Sequence, residues 1–247
     1  MERQIMIQLQ NVDAGYPGSV ILENVSFDVF KGEIFGLLGT SGCGKSTLMR
    51  HMIGLNPVLG GNVRIAGLEW DFDTRAELCK KIGVMYQSGA LFGSMTCLEN
   101  VMLPMKELAD LKRKARRERA MELLKSVGLE DAAGKMPFEI SGGMRKRVAM
   151  ARAMALDPEV VFLDEPSAGL DPIVSSELDD LILRLRQDGG TTFVIVTHEL
   201  ESVFKIVDRC AVFDRERRGM VGLGVPQELK LKTQDAFVKR FFNRGGV

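Results

Sequence analysis

Gly39-Thr40-Ser41-Gly42-Cys43-Gly44-Lys45-Ser46 fits the pattern G-x-x-x-x-G-K-[ST], and its flanks decide how it is read. Before it, Ile34 to Leu38 is a short apolar run of the kind found in buried strands. After it, Thr47 to Ile53 places apolar residues at helical spacing. Strand, glycine loop and helix thus follow in the order that a phosphate cradle requires. The glycines let backbone N–H groups turn inward around an anion, and the helix start adds the positive end of its dipole. Lys45 is then expected to reach the β- and γ-phosphates, and Ser46 to bind Mg²⁺. Cys43 within the loop reads as a small side chain rather than a redox group.

Bulk properties narrow the field. With 247 residues and 45% hydrophobic content, the chain can bury a sizeable core as one domain, or one domain with a lobe. Thirty-three basic and thirty-three acidic residues cancel, so nothing overall draws the chain to nucleic acid, and no nucleic-acid partner is expected. Cys43, Cys79, Cys97 and Cys210 are scattered without C-x-x-C spacing, which suits free thiols in a reducing compartment. Met1-Glu2-Arg3-Gln4 is polar and runs into a strand pattern, so no secretory signal is expected. No apolar run reaches the length needed to cross a bilayer. A membrane, if one is involved, is crossed by another chain.

Ile5 to Val12 and Val20 to Val29 alternate like half-exposed strands, joined through Ala14-Gly15-Tyr16-Pro17-Gly18. Tyr16 is placed in that turn, where its ring is expected to stack on a base, ordinary loop packing being the alternative. Gly61 to Gly67 and Ile82 to Tyr86 read as further strands, the second ending at Gln87. From Thr96 to Leu156 the pattern is helical, a lobe inserted into an α/β core. Its basic run, Lys112 to Arg119, reads as a solvated helix face, with anionic lipid headgroups as the alternative.

After Pro158, strand and helix alternate again. Glu159 to Leu163 is a near-continuous apolar strand that ends in Asp164-Glu165, where open α/β sheets place their ligands. Asp164 is expected in the Mg²⁺ shell, with Glu165, facing the other way, orienting or deprotonating an attacking water. The strand Thr191 to Thr197 brings His198 to the same edge, as a γ-phosphate contact. Ser141 reads as an N-cap in Ser141-Gly142-Gly143-Met144, ahead of a helix from Val148 to Leu156. One site does not need two anion-binding helix starts. Two copies packed head to tail would give each nucleotide both.

In this order and spacing, the glycine loop, Gln87, I-S-G-G-M, V-V-F-L-D-E-P, S-A-G-L-D and T-H resemble the nucleotide-binding subunit of an ABC transporter, over nearly the whole chain. The resemblance implies an α/β fold: a P-loop NTPase with a RecA-like core and an antiparallel β subdomain, plus an inserted α-helical subdomain. Within a single ABC ATP-binding domain, the nucleotide-binding core would cover 1–95 and 157–230, the helical subdomain 96–156 and a C-terminal extension 231–247. It implies ATP and Mg²⁺ as cofactors, with Tyr16 on adenine and the whole loop from Gly39 to Ser46 plus Thr47 around phosphates and metal. Gln87 would reach the metal and link the nucleotide to a membrane subunit. Glu165, His198, Gln87 and Lys45 would act in hydrolysis, with Ser46 and Asp164 on the metal. Ser141, Gly142 and Gly143 would act across a homodimer on the partner's ATP, and Asp171 would sit in the loop joining the two sites.

Gln87-Ser88-Gly89-Ala90-Leu91-Phe92, with Met144 and Arg147 where most relatives carry S-G-G-Q, resembles more narrowly the ATPase of Mla/MCE-type phospholipid transport systems. Ile140 stands for the common leading leucine, a near-isosteric change. This implies an integral membrane permease, an MCE-domain protein and a small regulatory subunit as partners, at the cytoplasmic face of a bacterial inner membrane. An importer for amino acids, peptides or metals is the alternative. The amphipathic stretch Gln234 to Phe242 is read as packing on its own core or docking on a partner or second copy, and the lipid-transport resemblance favours docking.

Overall fold

A computed structural model describes residues 3–243. Two sheets organise it. The first is antiparallel, with strand order β2 (Ser19–Phe30), β1 (Ile5–Tyr16), β4 (Gly60–Ile65) and β5 (Leu68–Glu69). The second has the order β10 (Gly219–Gly224), β9 (Arg209–Asp214), β3 (Ile34–Gly39), β8 (Thr192–Val196), β7 (Val160–Asp164) and β6 (Ile82–Met85). Its strands β9, β3, β8, β7 and β6 run parallel, and β10 closes one edge antiparallel.

The central strands β3, β7 and β8 are buried along their whole length, which is why their sequences read as unbroken apolar runs. Side-chain alternation still divides them between two cores. Phe35, Leu37, Phe162, Val194 and Val196 face α1 (Lys45–Met52) and the antiparallel sheet. Ile34, Leu38, Val161, Leu163 and Ile195 face the helices on the other side. Those include α3 (Cys97–Leu108), α4 (Arg113–Ser126), α5 (Gly142–Ala153), α6 (Pro172–Gly189) and α7 (Leu200–Ile206). A short helix α2 (Arg75–Lys81) precedes β6. Among the described residues, no helix is long and apolar enough to cross a membrane.

Two local readings are corrected. The first two strands run on to residues 16 and 19, so Tyr16 ends β1 and the turn shrinks to Pro17-Gly18. The helix after Ser141 opens at Gly142, not Val148. Ser141 Oγ accepts from the Met144 N–H at 3.2 Å, and close packing of Gly143 on Val174 offsets the poor helix propensity of two glycines. The basic run lies at the exposed start of α4, where Lys114 pairs with Glu118 and Arg119 with Glu122 and Asp157, as a solvated face does.

The chain ends in α8 (Pro226–Lys232) and α9 (Ala236–Asn243). Asp235 caps α9 by accepting from the Phe237 and Val238 N–H groups at 2.9 and 3.0 Å, and its carboxylate pairs with Arg217. Val238, Phe241 and Phe242 are buried, and Phe242 meets Phe204 of α7 with ring centroids 5.8 Å apart. The apolar face of α9 therefore packs on the chain's own core, where the lipid-transport resemblance favoured docking. Truncating Phe242 to Ala should cost about 3–5 kcal/mol, read as a fall in Tm of roughly 10 °C.

Candidate nucleotide site

Gly39, Asp164, Glu165, His198 and Gln87 all stand at or just beyond the C-terminal ends of β3, β7, β8 and β6. The parallel sheet thus delivers five chemically distinct groups to one edge, the place where such sheets hold ligands. Gly39, Gln87, Glu165 and His198 line a cavity of about 800 Å³ together with the loop residues Thr40, Ser41, Gly42, Gly44, Lys45, Ser46 and Thr47.

The loop keeps its shape through two glycines. Gly39 has φ +146°, and a Cβ there would lie 2.4 Å from the Phe213 carbonyl oxygen. Gly44 has φ +102° and would place a Cβ 2.8 Å from Ile21. Larger residues are excluded at both positions by strain and by space. Lys45 folds back over the loop: its buried ammonium donates to the carbonyls of Gly39 at 2.9 Å and Thr40 at 3.0 Å. Cys43 points away from the cavity into the core. Burial pushes its thiol pKa up against the opposing pull of Lys45, so it packs rather than reacts.

Ser46 Oγ donates to Asp164 Oδ1 at 2.9 Å. A hydroxyl and a carboxylate side by side are hard oxygen donors of the kind Mg²⁺ takes alongside phosphate oxygens, so the residues present fit that ion. Glu165 has φ +46°, a left-handed backbone rare for a side chain other than glycine. Its N–H donates to the Val196 carbonyl at 2.8 Å. His198 Nδ1 lies 2.9 Å from both carboxylate oxygens and hydrogen-bonds Oε1. Oε2 is buried against His198 and makes no other hydrogen bond among the described residues.

Other expected residues stand apart. Tyr16 lies beside the loop helix, half exposed, its hydroxyl accepting from Arg50 at 3.1 Å. His51, which the sequence did not single out, anchors the neighbouring backbone. His51 Nε2 lies 3.0 Å from both the N–H and the carbonyl oxygen of Gly15, and Nδ1 lies 3.2 Å from the Asn56 carbonyl. Ser141, Gly142, Gly143 and Asp171 do not line the cavity. They form a second place of their own: Asp171 caps α6 through the Ile173 and Val174 N–H groups, and Gly143 abuts Val174. Asn100 was also missed. It is fully buried and binds Phe92 N–H and the carbonyls of Phe92, Met95 and Thr96, fixing the loop that follows Gln87.

Residues 22–168 match the ABC transporter family. The chain is 38% identical over 244 residues to the methionine import ATP-binding protein MetN of Carboxydothermus hydrogenoformans, covering 96% of this chain and 72% of that protein. It is 36% identical over 246 residues to the probable ribonucleotide transport ATP-binding protein mkl of Mycobacterium leprae, covering 98% and 70%. Among solved structures, the ATP-binding cassette MJ0796, dimeric in a post-hydrolysis state with ADP and Pi, superposes with TM-score 0.80 at 30% identity, covering 89% of this chain and 98% of that one. CbiO1 from Clostridium perfringens, part of the ABC transporter complex cbiONQ, gives 0.84 at 27% identity, covering 93% and 92%.

This chain belongs to the ABC transporter family, with the P-loop NTPase fold of its ATPases. It is the ATP-binding subunit of such a transporter, an ATPase that uses ATP and Mg²⁺.

Proposed function

We propose that the chain works as a homodimer in which each nucleotide is held by the loop of one copy and the Ser141 element of the other. The observation that carries this is the separation of the two anion-binding helix starts. The cavity holds Lys45, Ser46, Glu165 and His198, while Ser141, Gly142 and Gly143 cap a different helix outside it. The dimer with ADP and Pi formed by the MJ0796 cassette supports the pairing. In the closed pair the Ser141 hydroxyl and Gly143 N–H meet the partner's γ-phosphate, and Asp171 stands between the two sites. Lys45 and the loop amides bind the β- and γ-phosphates. Ser46, Asp164 and Gln87 hold Mg²⁺, which offsets phosphate charge when bound, and Thr47 and Tyr16 complete the grip on the nucleotide. Glu165 takes a proton from the attacking water, and His198 holds that carboxylate and reads the γ-phosphate.

Mixing two inactive variants tests the shared site. Lys45→Met and Ser141→Arg each abolish turnover alone, and together they should regain roughly a quarter of the wild-type rate, since random pairing makes half the dimers mixed and each mixed dimer keeps one intact site. No recovery on mixing contradicts the pairing.

Force passes to a membrane permease through the region from Gln87 to Leu103, which places the chain at the cytoplasmic face of the inner membrane. That region is stiff: Arg152 binds the carbonyls of Gly89 and Ala90 at 2.8 and 2.7 Å, and Asn100 fixes the turn beyond them. For cargo, Gln87 to Phe92 with Met144 and Arg147 supports phospholipid transport with an MCE-type protein. A second reading, import of a small polar solute, draws on the methionine and glycine betaine/proline betaine transport names of relatives, the latter the ProV protein of Escherichia coli at 36% identity. Mass spectrometry of the purified membrane complex separates them: co-purified phospholipid supports the first, and a lipid-free complex whose ATPase is stimulated by a solute-loaded binding protein the second.

A further inference from the structure

Lys146 is almost wholly buried, although it lies within the cationic run Arg145-Lys146-Arg147. It shares a stripe of α5 with Ala149, Met150 and Ala153, at the i, i+3, i+4, i+7 spacing of a core-facing surface. A buried ammonium is costly unless its protons are taken up. Here Nζ donates to the backbone carbonyls of Gln87 and, at 3.2 Å, of Glu165. Burial pushes the Lys146 pKa down, while the nearby Glu165 and Asp164 carboxylates pull it up.

The two carbonyls belong to the two segments that frame the water side of the cavity. Glu165 stands in a left-handed backbone that a non-glycine residue keeps only when its surroundings hold it there. Its peptide is gripped on one side by the Val196 carbonyl and on the other by Lys146. We propose that Lys146 is a positioning residue for hydrolysis: its ammonium pins the Glu165 and Gln87 main chains to α5, the helix whose first turn carries Ser141. When that helix start meets a partner's nucleotide, the same helix sets the base and the Gln87 loop of its own copy. This rests on the reading of Glu165 as the base.

Steady-state and single-turnover ATPase assays on the full chain test it. Lys146→Met should lower kcat about 10- to 100-fold, the scale expected when a reacting group is displaced by an ångström or less, with KM for ATP almost unchanged. Lys146→Arg, which keeps a cation able to reach both carbonyls, should restore most of the rate. In a Glu165→Gln background, Lys146→Met should remove little further rate, because the group it positions is already disabled. The same factor lost in both backgrounds, or a wild-type kcat in Lys146→Met, overturns the proposal. If the methionine variant melts below the assay temperature, Lys146→Gln against Lys146→Arg decides, and equal rates in those two overturn it. A normal rate in Glu165→Gln alone instead overturns the base assignment.

Discussion

Replacing Glu165 by Gln is expected to lower ATP turnover by about 10²- to 10⁴-fold, the usual contribution of a positioned general base, while ATP binding stays within a few-fold of wild type. The amide has the same shape and can still accept from His198 Nδ1, which lies 2.9 Å from the carboxylate. What it loses is the basicity of the carboxylate. Because a carboxylate beside a triphosphate gains nothing from ground-state binding, its loss falls on kcat. Equilibrium binding of a fluorescent ATP analogue, with single-turnover hydrolysis, separates the two quantities. A rate near wild type would remove Glu165 from the role of base.

Lys45→Met, which abolishes turnover, should also raise the Kd for ATP, by a factor on the order of 100. The buried ammonium already holds the loop through the Gly39 and Thr40 carbonyls. With a nucleotide present its charge is directed at the phosphates, where charge-assisted hydrogen bonds contribute about 1.5–3 kcal/mol each. Two such contacts at the low end of that range account for that factor. Methionine keeps the apolar stem and supplies no proton, so the anion loses its counter-charge and the loop its two ammonium hydrogen bonds. Isothermal titration with ATP checks this, and an unchanged Kd would contradict the phosphate role.

These two residues were legible in the sequence because their chemistry demands fixed local spacing. Gly39, Gly44 and Lys45 belong to one loop whose positive φ angles only glycine takes easily, and Asp164-Glu165 ends an apolar run that could hardly be anything but a central strand. What stayed hidden depends on partners far along the chain. The strained backbone of Glu165 is held by Val196 and Lys146, and the charge of Lys146 masked its place on a core-facing stripe. The early start of α5 depends on Gly143 meeting Val174, thirty-one residues later, and so overrode a local preference against glycine. Pro17-Gly18 signals a turn wide enough to include Tyr16, whereas pairing with Ser19 carries β1 through that residue. The amphipathic pattern of α9 showed that one face is covered, and only the fold supplied Phe204 as its neighbour.

The structure of the Glu165→Gln variant with ATP and Mg²⁺ tests most directly the reaction centre shared between two copies. It should show a head-to-tail pair with Ser141 Oγ and Gly143 N of each copy within hydrogen-bonding distance of the γ-phosphate bound by the other. A pair in which those groups face solvent, or a single copy holding its ATP alone, would contradict it.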